Sequence, residues 1–203
     1  MKMKKVNLGC ASTLLDGYIN VDMDSLDDIK RRYPNLAIPT KADFVQSSIF
    51  ELPFAEESLD EIRSDCLIEH LSFKEEKIFF TNIPKLLKKG GKLNLSTPDF
   101  EIIVKTWLEA EDQWKDFFRD DDEAIKSSHW FGTYTYGHEN RWGQLSACIF
   151  GPQNSEGQFH KNCYTENKLK AIFERVGFEN FIISRYKWKG NRETIIRIEG
   201  TKI

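Results

Sequence analysis

Two regions hold side chains whose types and spacing could do chemistry. The first is Val6-Asn7-Leu8-Gly9-Cys10-Ala11-Ser12, followed by Tyr18-Ile19-Asn20-Val21-Asp22. Val6 and Leu8 have strand-forming bulk, while Gly9 to Ser12 have almost no side-chain volume, so a ligand can come close to the backbone there. A small-residue turn after one strand and an acid at the end of the next suit an adenosine ribose: the turn clears space and Asp22 accepts from two hydroxyls. The second region is richer in titratable groups. Gly137-His138-Glu139-Asn140-Arg141-Trp142 combines an imidazole, a carboxylate, a guanidinium and an indole, and Gly151-Pro152-Gln153 with Gly157-Gln158-Phe159-His160 adds a second polar cluster. Arg141 can clamp a carboxylate or phosphate, and Trp142 and Gln153 are further candidate substrate contacts. His160 and His138 are the candidate bases; the bland alternative for His160 is a hydrogen bond to a loop carbonyl.

Other chemistries are less well supplied. Gly9-Cys10-Ala11-Ser12-Thr13-Leu14 fails the G-x-G-x-x-G dinucleotide fingerprint, and no Gly-Lys-Ser/Thr follows to make a P-loop. Cys10, Cys66, Cys148 and Cys163 form no CxxC pair, which favours free thiols in a reducing cytoplasm. His160, Cys163 and Cys148 lack a recognisable zinc spacing, so no metal is expected. Asp120-Asp121-Asp122-Glu123 lacks EF-hand spacing and reads as a solvated loop. His70 reads as a structural histidine at a helix start, bonding backbone, and Trp107 and Trp114 read as core.

The elements that must position these groups follow from hydrophobic period and punctuation. Strands are expected over 4–9, from Tyr18 to Asp22, over 41–45, 59–64 and 92–97, and over 178–186 and 193–203, the last two as an antiparallel pair joined through Lys189-Gly190-Asn191. Only about one helical turn fits between Ala11 and Leu15, a first crossover much shorter than the usual dozen residues. Helices are expected over 24–33, from Ser72 to about Lys89, from Asp99 past Phe117, and from Thr165 to Val176. Ser72-Phe73-Lys74-Glu75 is a capping box; Pro84 should kink its helix, and Gly90-Gly91 should end it. Strand and helix alternating before a terminal hairpin predicts an α/β, doubly wound sheet with its ligand crevice at the carboxyl ends of the strands. Residues 119–163 break the pattern and read as an inserted lid in an otherwise single domain.

Hydrophobic residues at 40% and charged residues at 30% describe an ordinary folded chain, and a net charge of −3 gives no electrostatic footprint for nucleic acid. No stretch is apolar for long enough to span a membrane. Met1-Lys2-Met3-Lys4-Lys5 imitates a signal peptide, but Asn7 and Asp16 interrupt the apolar run, so the expected location is cytoplasmic.

Six short segments, in order, resemble the class I S-adenosylmethionine (SAM)-dependent methyltransferases of the type 11 kind. They are Asn7-Leu8-Gly9-Cys10-Ala11-Ser12, Gly17-Tyr18-Ile19-Asn20-Val21-Asp22, Glu51-Leu52-Pro53-Phe54, Leu59-Asp60-Glu61-Ile62, Ile68-Glu69-His70-Leu71 and Leu86-Leu87-Lys88-Lys89-Gly90-Gly91-Lys92-Leu93. The resemblance implies a seven-stranded Rossmann-like sheet in the order 3-2-1-4-5-7-6 with the last strand antiparallel. It implies that Leu8, Gly9, Cys10 and Ala11 line the methionine half of SAM, that Asp22 holds the ribose, and that Met23 packs on the adenine. Ser48 and Ile49 would sit at the adenine edge, and Asp65 and Cys66 under the sulfonium. The implied reaction is methyl transfer to a small polar acceptor, such as a saccharide or a nucleotide-linked compound. The chain departs from the family at Ala11, where glycine is usual, and at Ser48, where aspartate is usual. Those departures keep open a second reading, a binding protein that has the fold without the catalysis.

Overall fold

The computed structural model describes residues 3–109, 148–151, 153, 156–187 and 194–203. Among these, four short strands and one long one run parallel: β1 (Lys5–Leu8), β2 (Ile19–Asp22), β3 (Asp43–Gln46), β4 (Leu59–Asp65) and β5 (Leu87–Pro98). Strands β6 (Phe178–Lys187) and β7 (Thr194–Lys202) complete a seven-stranded sheet in the order β3-β2-β1-β4-β5-β7-β6. β7 runs antiparallel to both β5 and β6, as the resemblance implied. The helices are α1 (Leu26–Arg32), α2 (Phe73–Leu86), α3 (Phe100–Glu109) and α4 (Glu166–Arg175).

Central strands bury their side chains in a common core. Val6, Leu8, Val21, Leu59, Ile62, Leu93 and Leu95 are fully buried, the continuous apolar habit of strands covered on both faces. Phe79 and Ile83 of α2 and Leu169 and Phe173 of α4 pack into the same cluster. The starts of α2, α3 and α4, three of the four helices, carry the expected side-chain caps. Ser72 and Glu75 form the reciprocal capping box, Thr165 accepts from the Lys168 amide, and Asp99 accepts from the Ile102 amide at 3.3 Å.

Three local expectations are corrected. No helix fills the crossover from β1 to β2. Two buried asparagines do its work: Asn7 Nδ2 donates to the Thr13 carbonyl (2.8 Å) and to Asn20 Oδ1 (2.9 Å), while Asn20 Oδ1 also accepts from the Leu15 amide (2.8 Å). Side chains thus satisfy backbone groups that a helix would otherwise have satisfied internally. The second correction concerns α2, which ends at Leu86 rather than Lys89. Pro84 stands in its last turn and marks its end instead of bending a longer helix. The third is that Gly90-Gly91 is not a helix stop but lies inside β5. Leu59 pairs with Leu87 whereas Glu61 pairs with Lys92, so the glycines make a bulge. Gly90 has φ +78°, and a Cβ on Gly91 would lie 2.8 Å from the Lys88 carbonyl oxygen, so both positions demand glycine.

The expected residues Trp114 and Phe117, the acidic run at Asp120 and the turn at Lys189-Gly190-Asn191 lie outside the described residues, as does most of the 119–163 segment. Among the described residues, no helix is long and apolar enough to cross a membrane.

Candidate functional site

The carboxyl ends of β1, β2, β3 and β4 bring most of the implied cofactor residues to one edge of the sheet. Gly9 leaves β1 with φ +62°, and a Cβ there would come 2.9 Å from Leu67 Cδ1, so the missing side chain lets the turn close against the loop after β4. Ala11 follows with φ +38°, a left-handed conformation that strains any residue carrying a Cβ. The turn is pinned by Cys10 N–H to the Val21 carbonyl (3.1 Å) and Thr13 N–H to the Cys10 carbonyl (2.6 Å).

Asp22 ends β2 beside that turn and is 8% exposed. Its Oδ2 accepts from the Ala11 amide (2.8 Å) and its Oδ1 from the Asp24 amide (3.0 Å). Among the described residues it forms no ion pair, so each oxygen keeps a lone pair for a further donor. The Ser47 amide donates to the Asp22 carbonyl (2.8 Å), which ties the loop after β3 to the same place. In that loop Ser48 Oγ accepts from the Phe50 amide (3.2 Å), and Ile49 packs against the core. Met23 is 76% exposed, and its carbonyl accepts from Gln46 Nε2.

Three of the implied contacts cannot be made by side chains. Leu8 is fully buried, and its carbonyl accepts from Ser64 Oγ, so it reaches the cleft through backbone alone. The Cys10 thiol is buried as well. Burial and the Asp22 carboxylate push it up to about 12, so it stays a thiol at neutral pH. Asp65 is committed elsewhere: Oδ1 accepts from Ser96 Oγ (2.6 Å) and Arg197 Nη2 (2.8 Å), and Oδ2 from Arg63 Nε (2.8 Å). Burial alone would raise that carboxyl, but Ser96, Arg63 and Arg197 together hold it below the usual carboxylate range. Cys66 follows β4 with φ +51°, and its amide donates to the Ser96 carbonyl (2.8 Å).

His160 proves to bond a loop carbonyl. Its Nδ1 lies 2.9 Å from the Cys148 carbonyl oxygen, and its ring stands edge-on to His70, centroids 4.8 Å apart. His70 Nδ1 in turn meets the Phe159 carbonyl at 3.1 Å, the backbone-bonding role expected of it. Burial pushes the His160 imidazole down to about 4, against the raising effect of the Cys148 carbonyl, and His70 lowers it further. His70 is lowered by burial too. His138, Arg141 and Trp142 lie outside the described residues, and Gln153 is exposed with φ +55°. Glu69 was missed as a site residue: it is 2% exposed, and Thr97 Oγ1 donates to its Oε2 (3.1 Å). The signal was present in Ile68-Glu69-His70-Leu71 but needed His160 beside it to be read. A groove of about 810 Å³ between α2 and α4, lined in part by Phe80, Pro84, Lys168 and Ile172, shares no residue with this edge of the sheet.

A family model described as a methyltransferase domain matches residues 11–95. A SAM-dependent methyltransferase from Methanosarcina mazei superposes with TM-score 0.58 at 17% identity, over 100% of this chain and 94% of that one. Residues 11–95 thus match a methyltransferase domain, and the chain shares the fold of the SAM-dependent methyltransferases it superposes on. A SAM-dependent methyltransferase from Thermotoga maritima gives TM-score 0.56 at 16% identity, over 98% of this chain and 82% of the other. The 1,6-didemethyltoxoflavin-N1-methyltransferase of Burkholderia thailandensis, solved with 1,6-didemethyltoxoflavin and S-adenosylhomocysteine bound, gives 0.57 at 13% identity, over 99% and 72%. No curated protein matches the chain. Against this methyltransferase fold, Gly9, Ala11 and Asp22 occupy the crevice at the topological switch of the sheet, where β1 lies between β2 and β4.

Proposed function

We propose that the chain binds SAM through the turn after β1 and Asp22, and catalyses methyl transfer to a small polar acceptor. The observation that carries this reading is the Asp22 carboxylate, held by one amide on each oxygen beside a turn with no bulky side chain. Two adjacent ribose hydroxyls match the lone pairs left on those oxygens. Gly9, whose missing side chain lets Leu67 pack 2.9 Å from where a Cβ would stand, holds that turn against the loop after β4.

Bound SAM would supply an electrophilic methyl on a sulfonium. The chain's task is alignment and exclusion of water. Asp22 fixes the nucleoside end, and the Gly9–Ala11 backbone fixes the other. Asp65 acts through the wall it stiffens, tying β4 to β5 and β7 through Ser96 and Arg197. A base whose conjugate acid forms only near pH 4 takes protons weakly at neutral pH, so His160 is a poor match for proton abstraction. We assign any such step to His138 or to water, and acceptor binding to Arg141, Trp142 and Gln153 in the 119–163 segment. Ser48, whose hydroxyl accepts from the Phe50 amide, and Ile49 would line the adenine edge, with Met23 over its face.

Calorimetry with SAM and S-adenosylhomocysteine tests the cofactor assignment. Binding of both in the micromolar range, weakened by Asp22→Asn, supports it; heat from neither refutes it. The strain at Ala11 favours the rival reading of a non-catalytic binding protein. That reading predicts binding without turnover of labelled SAM on any of a panel of sugars and nucleotide sugars.

A further inference from the structure

We propose that Glu69, His70 and His160 form a site for one divalent first-row transition-metal ion, held by the Glu69 carboxylate and by Nε2 of both imidazoles. A ring nitrogen from each histidine and a carboxylate oxygen lie within 4.8 Å of one another. The tautomers follow from the hydrogen bonds. A carbonyl oxygen only accepts, so the Phe159 and Cys148 carbonyls require the proton on Nδ1 of His70 and His160. That leaves a lone pair on Nε2 of each ring. An Nδ1–H bonded to a backbone carbonyl is the outer-shell arrangement that orients a metal-binding histidine and makes its other nitrogen more basic. Two nitrogen lone pairs and a carboxylate gathered in one partly buried corner are a donor set that attracts a cation placed between them.

The ligands are fixed by backbone as well as by side chains. The Glu69 carbonyl accepts from the Lys161 amide (2.8 Å) and the Asn162 amide (3.0 Å), which staples the His160 loop to the turn after β4. The His160 amide donates to the Phe150 carbonyl (3.1 Å). Gly151, at φ +75°, lets the chain pass this close; a Cβ there would strike the Gln158 carbonyl and lie 2.9 Å from His160 Cδ2. Thr97 Oγ1 orients the Glu69 carboxylate from β5. In a tetrahedral site, ligand atoms about 2.1 Å from zinc lie about 3.4 Å apart, and a ring nitrogen of each histidine and a Glu69 oxygen already lie within 4.8 Å of one another. Two imidazoles and one carboxylate suit zinc, manganese, iron or cobalt rather than magnesium or calcium. Three protein ligands also leave a coordination position for an oxygen or nitrogen ligand, as catalytic rather than structural metal sites do. Glu69 lies two residues after Leu67, whose isobutyl group abuts Gly9 at the carboxyl end of β1.

The full chain, stripped with EDTA and dialysed, is titrated with zinc chloride, and separately with cobalt chloride, in the absence of SAM. Metal binding and the methyl-transfer reading can then fail independently. The expected result is one equivalent bound, with a cobalt visible spectrum lacking a thiolate charge-transfer band, and affinity lowered at least about tenfold in His70→Gln and in His160→Gln. Cys163→Ser keeps wild-type affinity. If the histidine variants misfold, modification of the wild-type chain by diethylpyrocarbonate substitutes for them: zinc should protect two histidines. No binding of either ion below 100 times the protein concentration overturns the proposal. So does binding abolished by Cys163→Ser, or an absence of histidine protection.

Discussion

Asp65→Asn tests whether Asp65 supports the site from behind rather than facing the cofactor. The substitution keeps the shape and removes the charge. Asp65 is 8% exposed as a side chain, and its partners Arg63 and Arg197 are 25% and 24% exposed. Both ion pairs are short, at 2.7 Å and 2.8 Å. Removing one partner of a fully buried pair costs about 3–5 kcal/mol. The two guanidiniums keep some water, so about 2–3 kcal/mol is expected here, a fall in Tm of about 4–12 °C for a chain of this size. The pH dependence has a definite sign. The folded carboxyl is held below its unfolded value of about 3.9. Its contribution is therefore fully present above pH 4 and is lost as pH falls through the folded value. Thermal melts followed by circular dichroism at pH 7, 4 and 3 should show the wild-type advantage at pH 7 and 4 and a shrinking gap at pH 3. A variant equal to wild type at pH 7, or a gap that stays constant into acid, would refute the reasoning.

Three further outcomes follow from named contacts. Ala11→Gly removes the strain of φ +38°, worth about 1–2 kcal/mol, against a backbone-entropy cost of about 0.5–1 kcal/mol; the net is a stabilisation of about 0–1.5 kcal/mol, so the urea midpoint should rise or hold and not fall. Asn20→Ala leaves the Leu15 amide and Asn7 Nδ2 short of their acceptor, and should cost about 2–3 kcal/mol in urea unfolding. In metal-free protein, NMR titration should show both His70 and His160 protonating below the ordinary value of about 6.5, His160 near 4. Because the unfolded imidazole binds its proton more readily, their stabilising effect is present above pH 6.5 and lost as pH falls toward 4.

What could be read from the sequence was whatever a local pattern determines. Alternating bulk at Val6, Leu8 and Val21 set the strands, the Ser72–Glu75 spacing set a helix start, and the turn and acid at Gly9 and Asp22 set the crevice. The misreadings share a cause: a distant partner changed the meaning of a local signal. Gly90-Gly91 reads as a helix stop until Leu59 on the neighbouring strand shows that it is a bulge. Asp65 reads as a ligand contact until Arg197, from the far end of the chain, claims it. Asn7 interrupts an apolar strand in one dimension and knots a helix-free crossover in three. Glu69, His70 and His160 form a cluster only after the last loop folds back over β4, which no spacing rule anticipates.

Isothermal titration of the full chain with S-adenosylhomocysteine, wild type against Asp22→Asn, measures the central claim most directly. Hydrogen bonds to a charged group are worth about 1.5–3 kcal/mol, so the variant should bind about 10- to 100-fold more weakly while melting within a few degrees of wild type. Equal affinity in the two proteins, or no heat from the wild type, would contradict an adenosyl site at the ends of β1 and β2.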